Sequence, residues 1–396
     1  MRACLYFQVH QPFRIKKNYS VFDIGKNNDY FDEQLNASLL QKVASKSYIP
    51  ANALLLKLLQ KHEELKLSFS ITGTALDQFM MFCPEVLHGF QALCDTGRVE
   101  FLNETYYHSL AFLFDRQEFD EQVEMHSRCI KKLFGQKPKV FRNTELIYNN
   151  SLAEHVKKMG FKAVLSEGAE KVLGWRSPNF VYASPSGISL LMKNYKLSDD
   201  IAFRFSDKKW SEYPLSSEKF ANWVCNAGGD LVNLFLDYET FGEHQWAESG
   251  IFRFLEKLPK ELIKNKVSFV TPSELISLPA KDVVDVPNFV SWADVERDLS
   301  AWMGNKMQQA ALAKLYALKQ HVPKESIGDW RMLSTSDHFY YMCTKWFADG
   351  DVHKYFNPYD SPYDCFISFM NAMNDLALRA KVSELGSKTT EQWVRV

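Results

Sequence analysis

The chain has 396 residues, 46% of them hydrophobic and 24% charged, which is enough to bury a large core and to divide into more than one domain. A formal net charge of −1 with no basic stripe excludes an electrostatic nucleic-acid binder, because phosphate affinity needs a basic excess. No run of about 18 apolar residues exists, so no membrane span is expected. Gln8 and His10 interrupt the N-terminal apolar stretch, so no secretory leader is expected either. The seven cysteines are odd in number, widely spaced and free of any C-x-x-C, which predicts reduced thiols of a cytoplasmic protein. Aromatic residues make up 14%; most must fill the core, but Trp and Tyr also line sugar-binding clefts.

In chain order, residues 3–10 (ACLYFQVH) read as a strand ending in polar residues. Residues 49–65 carry Leu54, Leu55, Leu58 and Leu59 at helical spacing. Residues 66–74 alternate like a strand, and 75–97 are helical with Pro84 as a break or a new start. A strand begins at 98. Residues 115–135 form a helix, acidic early and basic late, which suits the helix dipole. A strand at 139–146, a helix at 151–160 closed by glycine, and a strand at 161–168 follow. Residues 177–194 read as a hairpin insertion turning at Ser184–Gly187. A helix over 214–226, a strand at 231–237, a helix near 248–260 and a strand-like 266–275 complete this part.

With the hairpin set aside, seven short apolar strands alternate with helices, the pattern of a parallel sheet covered by helices. The predicted fold is therefore α/β: a distorted (β/α)7 barrel over residues 1–285, followed by an all-helical C-terminal domain over 286–396 packed on the barrel. In the latter, 292–321, 336–347 and 361–385 each read as one helix by period.

Polar clusters follow the strands, on the side where a barrel builds its active site. They are His10-Gln11-Pro12, Asn103 through His108, Arg142 through Glu145, Glu167, Asp237-Tyr238-Glu239 and Thr271 through Glu274. Strand-to-helix turns are polar in any case, and Thr271–Glu274 reads best as a capping box. Glu145 and Asp237 differ, because they sit at the apolar mouths of their strands, where an unpaired carboxylate is costly. Retaining cleavage of a glycoside needs two carboxyl groups roughly 5–5.5 Å apart, one ionised to attack and one protonated to donate. Arg142 and Asn143 could favour the ionised form of Glu145, although strand alternation turns Arg142 to the other face. Glu239 shares a face with Asp237 if the strand extends that far, and its charge would then raise the Asp237 pKa. On that expectation Glu239→Gln lowers the basic limb of the pH–rate profile. His108 and Glu104 read either as substrate contacts or as a hydrogen-bonded rim. His244 is expected near the cleft, Trp246 as a sugar platform or core, and Glu243 as solvated. Val295, Leu299 and Trp302 have the spacing of a helical core stripe. A helical domain over the barrel mouth could still supply Trp292 or Asp294, with Asp337 and His338 behind them.

Five segments in order, FQVHQP, GRVEFLNETYYHS, FRNTEL, LDYETFGEH and SWADVERDLSAWMGN, resemble glycoside hydrolase family 57 and within it the α-amylase-like subgroup. The resemblance spans roughly residues 1–350. It implies a (β/α)7 barrel with a C-terminal helical domain and retaining chemistry on α-glucans. It also implies Glu145 as nucleophile, Asp237 as acid/base, and His10, with Gln11 beside it, in contact with sugar near the scissile bond. FVTPSEL (269–275) matches the family pattern least. No metal or cofactor is implied, and the expected partner is an α-glucan.

Three rivals remain. The same carboxylate pair serves a 4-α-glucanotransferase, a branching enzyme or a debranching enzyme, since water or a sugar hydroxyl can resolve the glycosyl-enzyme. A metal-dependent deacetylase-type hydrolase would need an acid where Pro12 stands, and no H-x-x-x-H occurs near the strand ends. A non-catalytic glucan-binding protein would not need both carboxylates.

Overall fold

The computed structural model describes residues 1–345 and 356–381. The ends of two expected helices, 346–347 and 382–385, and the end of the expected C-terminal domain lie outside the described residues. In chain order the strands are β1 (Arg2–Val9), β2 (Leu67–Ile71), β3 (Val99–Phe101), β4 (Val140–Phe141), β5 (Ala163–Glu167), β6 (Val181–Ala183), β7 (Ser189–Lys193), β8 (Leu231–Asp237) and β9 (Ser268–Phe269). β1, β2 and β5 are buried almost throughout, as parallel strands covered on both faces must be. One sheet runs β3-β2-β1-β8, with β9 paired to the start of β1, and the other runs β4-β5-β7-β6. All pairs are parallel except β6–β7. The sheets meet at a bridge between Asn103 and Phe141 on one side. On the other side the Asn194 N–H donates to the Asn233 carbonyl at 2.9 Å. The ladders do not merge into one hydrogen-bonded cylinder.

Two strand expectations change. The hairpin at 177–194 forms, but it is no insertion: its second strand, β7, lies parallel to β5 and next to β8. Its apolar run Leu190–Met192 is fully buried, which only a place inside the sheet allows. The expected last strand at 266–275 shrinks to the two residues of β9, because Thr271 opens a capping box with Glu274.

The helices follow their local signals. Pro84 stands at the first position of Pro84–Asp95, where its missing N–H costs nothing. Asp115 caps Arg116–Phe134 through the Glu118 N–H, and Gly135 closes it in the left-handed conformation. The expected long helix 292–321 does not form. Residues 285–299 are irregular, and α-helices cover only Ser300–Met303 and Lys306–Leu318, the latter running into a 3-10 turn at Lys319–His321. Asn305 caps the second of these with Gln308, so a helix starts where the period alone shows none. Val295 is consequently exposed rather than part of a core stripe.

Beside the core of the sheets, a second core gathers Trp302, Trp330, Phe339 and Phe369 from the C-terminal helices with Ile15, Tyr19 and Tyr30 from the stretch after β1. All seven cysteines are free thiols. Among the described residues no helix is long and apolar enough to cross a membrane.

Candidate active site

Parallel register sets the floor of the site. Gln8 pairs with Asp237 across β1 and β8, so the two strands release His10 and Glu239 side by side. β2 ends at Ile71, and the hydroxyl of the next residue, Thr72, meets His10 Nδ1 at 3.0 Å. The turns after β3 and β4 carry His108 and Glu145 with φ of 52° and 56°, a left-handed conformation that costs about 1 kcal/mol or more in a residue with a side chain. Trp292, Ala293 and Asp294 of the irregular stretch, and Ser336 and Asp337 from the C-terminal helices, close the other side. One cavity is lined by His10, Gln11, His108, Glu145, Asp237, Glu239, His244, Trp292, Asp294 and Asp337.

Glu145 is held from two sides. His108 Nε2 lies 3.0 Å from its Oε1, and Trp292 Nε1 donates to its Oε2 at 2.7 Å. His108 Nδ1 lies 2.9 Å from Glu104, which also accepts from Gln8 at 3.0 Å and from Ser70. The result is a carboxylate–imidazolium–carboxylate chain. Burial disfavours charge on His108, but the two carboxylates outweigh it and raise its pKa to about 9. Burial likewise opposes ionisation of Glu104, yet His108 and Arg142 hold it down at about 2. Glu145 is also lowered: against burial act His108, Arg142 and Trp292.

Asp237 is in the opposite state. Burial first, and the facing charge of Glu145 second, raise it to about 6, although Arg142, Lys193 and His108 pull the other way. Among the described residues no hydrogen bond holds its carboxyl group. Two carboxyl groups thus share one cavity with their pKa values driven apart, the condition for one to act as a base or nucleophile and the other as an acid.

Several expected site residues sit elsewhere than the strand pattern implies. Arg142 is fully buried but not turned away: its guanidinium lies 4.9 Å from the Trp292 ring centroid and lines the cavity. β4 ends at Phe141, so alternation no longer applies to Arg142. Glu104 lies beneath the cavity wall, where its carboxylate holds His108 instead of facing a ligand. Glu239 is not the charge that faces Asp237. β8 stops at Asp237, Tyr238–Thr240 coil into a short turn, and the Glu239 carboxyl accepts from Tyr48. Burial and Asp237 raise Glu239 to about 8, so it is itself a neutral acid at pH 7. Trp246 falls outside the cavity: it precedes the turn Ala247–Ser249, is 57% exposed, and has Lys46 5.5 Å from its ring centroid. Glu243 is buried rather than solvated. Gly242, at φ 112°, lets the turn press against the Lys46 carbonyl, and Lys42 then meets Glu243 at 2.9 Å. Gln11 reaches the cavity and donates to Tyr48 at 3.1 Å, and burial lowers His244 to about 4.

The sequence reading missed one polar group. Lys193, Asp199 and Arg297 line the cavity, and Arg297 meets the buried Glu167 at 2.9 Å. Lys193 lies 3.1 Å from Asp199 and 5.3 Å from the Trp292 centroid. The one signal available was Lys193 at the end of an apolar strand, hidden once that strand is taken for an insertion. Among the described residues no three His, Cys, Asp or Glu side chains gather to hold a metal ion.

Comparison with known proteins matches the family model described as Glycosyl hydrolase family 57 to residues 4–287. The chain belongs to this family. Membership makes it a glycoside hydrolase. A Methanocaldococcus jannaschii protein, provisionally named an alpha-amylase, is 44% identical over 391 residues, 93% of this chain and 82% of the relative. A family 57 branching enzyme of Thermococcus kodakaraensis is similar in structure, with a TM-score of 0.63, 14% identity, and coverage of 99% of this chain and 93% of that one. An alpha-amylase of Thermotoga maritima gives a TM-score of 0.60, 13% identity, and coverage of 99% and 96%. At such identities these two structures speak for the fold alone.

Proposed function

We propose that the chain cleaves α-glucosidic bonds of starch- or glycogen-type glucans with retention of configuration, Glu145 being the nucleophile and Asp237 the acid/base. The single observation that carries this reading is the opposed protonation of the two carboxyl groups in one cavity. Glu145 is kept ionised by His108, Arg142 and Trp292, and Asp237 is kept protonated up to about pH 6 by burial and by Glu145. In this reading Glu145 attacks the anomeric carbon while Asp237 gives its proton to the leaving oxygen. A covalent glycosyl-enzyme forms, and Asp237, now ionised, takes a proton from the water that resolves it. His10, Gln11, His244, Trp292 and Asp294 surround the sugar, and Trp292 also fixes the nucleophile. In this reading residues 1–285 are the catalytic unit, and the described residues of the helical part, 300–345 and 356–381, roof it. The alpha-amylase name of the Methanocaldococcus relative supports hydrolysis; transfer is the second outcome, because a sugar hydroxyl can resolve the same glycosyl-enzyme.

Incubation with maltoheptaose decides between them. Products only shorter than the substrate, released as the α-anomer when followed by proton NMR, are expected. Longer products would mean transfer, and β-anomers would sink the retaining mechanism. Glu145→Ala should abolish turnover by about 10³-fold or more.

A further inference from the structure

The cavity that holds Glu145 and Asp237 has a neighbour with which it shares a wall. A second cavity is lined by Tyr195, Asp199, Phe203, Val295 and Arg297 among others, and three of these, Asp199, Phe203 and Arg297, also line the first. One side of it is the helix Tyr195–Ala202, and the other is the irregular stretch at Val295 and Arg297. Arg297 joins the two sides. Its guanidinium meets Glu167 at 2.9 Å and Asp199 at 3.6 Å, and lies 4.2 Å from the Tyr195 ring centroid. Lys193 meets Asp199 at 3.1 Å and Glu167 at 3.7 Å. Two cations thus face two carboxyl groups, so this wall has no positive charge to spare for an anionic ligand. What it presents is hydrogen-bonding groups beside apolar surface, which suits a neutral, hydroxylated ligand. Phe203 stands where the two cavities meet. It is the residue that ends the helix Tyr195–Ala202, and it is 43% exposed. The core is served instead by Phe205, which is buried and packs on Phe254 with centroids 5.2 Å apart. A single exposed phenylalanine is ordinary. This one lies at the exit of the candidate catalytic cavity with Asp199 and Arg297 on the same wall, so it pairs a ring face for the C–H groups of a pyranose with polar groups for its hydroxyls.

We propose that the active-site cleft continues past Phe203 into this second cavity and binds a further glucosyl unit of the α-glucan there, stacked on the Phe203 ring with Asp199 and Arg297 beside its hydroxyls. The proposal rests on the glycosidase reading of the first cavity and adds a preference for chain length to it. A glucan long enough to reach Phe203 gains an interaction that a shorter one lacks. Because the contact lies away from the cleaved bond, it favours the long substrate in kcat/KM without taking part in the chemistry.

The test compares maltoheptaose with maltotriose on the full-length enzyme. Phe203→Ala should cut the ratio of kcat/KM on maltoheptaose to kcat/KM on maltotriose by about three- to tenfold, the size of a lost ring-stacking contact. Phe203→Trp keeps a flat ring and should hold that ratio at or above the parent's. If Phe203→Ala folds poorly, Phe203→Leu keeps the bulk, loses the ring, and should show the same fall. A ratio that stays at the parent's value without the ring, or that falls as far with tryptophan in its place, would overturn the proposal. A parent enzyme that cleaves neither oligosaccharide would sink the hydrolytic reading instead. The subsite is then read separately by calorimetric binding of the same two oligosaccharides, where Phe203→Ala should weaken maltoheptaose about three- to tenfold more than maltotriose. Equal weakening of both, no weakening, or no binding by the parent would overturn the subsite.

Discussion

At the scale of single residues, the site is governed by which neighbour each carboxyl group faces. In the proposed mechanism Glu145 is ionised and Asp237 protonated, so activity should fall as pH rises through about 6, where Asp237 loses its proton. His108→Gln removes the imidazolium beside Glu145, whose pKa then rises; the acidic limb of the kcat/KM profile should move to higher pH. An unmoved acidic limb would sink the role of His108. Glu239 reverses an expectation made from sequence. Since its pKa is about 8, it carries no charge where the enzyme works, and Gln mimics that state. Glu239→Gln should leave the basic limb in place instead of lowering it. The linkage has a definite sign. Unfolded, this group titrates near 4.5; folded, near 8. Between those values the folded chain keeps a proton that the unfolded chain has lost, so stability falls as pH rises, by roughly 3 kcal/mol at pH 7. Glu239→Gln should flatten the pH dependence of Tm over that window, and a slope unchanged from the parent would refute the buried neutral acid.

At the scale of elements, the strands deliver side chains to one end and the turns after them do the aiming. The runs ACLYFQV, LSFSI and LVNLFLD could be read as buried strands because nothing but burial explains them, and all three form. Where a strand ends is harder to read. β4 stops after Phe141 and β8 at Asp237, so the alternation that assigned faces to Arg142 and Glu239 does not reach them. Neither stop has a breaker in the sequence: each follows from a tertiary partner, Trp292 for Arg142 and Tyr48 for Glu239. The irregular stretch 285–299 is the strongest case. From 292 its period is helical, yet Asp294 and Arg297 adopt positive φ, and Trp292 meets Glu145 through both its backbone and its indole N–H. Trp292→Phe removes the indole donor and keeps most of the ring. It should lower kcat about tenfold with little change in KM for short substrates, as expected for a lost bond to the proposed nucleophile, Glu145. A change in KM alone would show the ring to be a sugar platform only.

At the scale of the molecule, two cores are tied together across a buried charge cluster. Glu118 of the helix Arg116–Phe134 is fully buried and meets Arg331 at 2.8 Å and Lys319 at 3.2 Å, both from the C-terminal helices. Glu118→Ala leaves two cations without their buried partner and should lower stability by about 3 kcal/mol, seen as a lower Tm at unchanged cavity chemistry. The tie runs the other way too, since Tyr30 donates to the buried Asp375 and Ile15, Tyr19 and Tyr30 belong to the C-terminal core. A chain ending at 285 would strip the cover from those residues and should not fold to a soluble, active enzyme. Sequence by itself determined the α/β class and the family, because burial alternation and motif spacing are local properties, and it pointed to Glu145 and Asp237, which the fold brings to one cavity. The tertiary structure alone decided that β7 enters the sheet, that Glu104 supports His108 from below, that Glu239 is neutral, and that Asp337 completes the cleft. Each of those depends on what lies across the cavity, and a pKa or a side-chain partner is set by neighbours that can stand far off in the chain, as Asp337 does, 327 residues from His10.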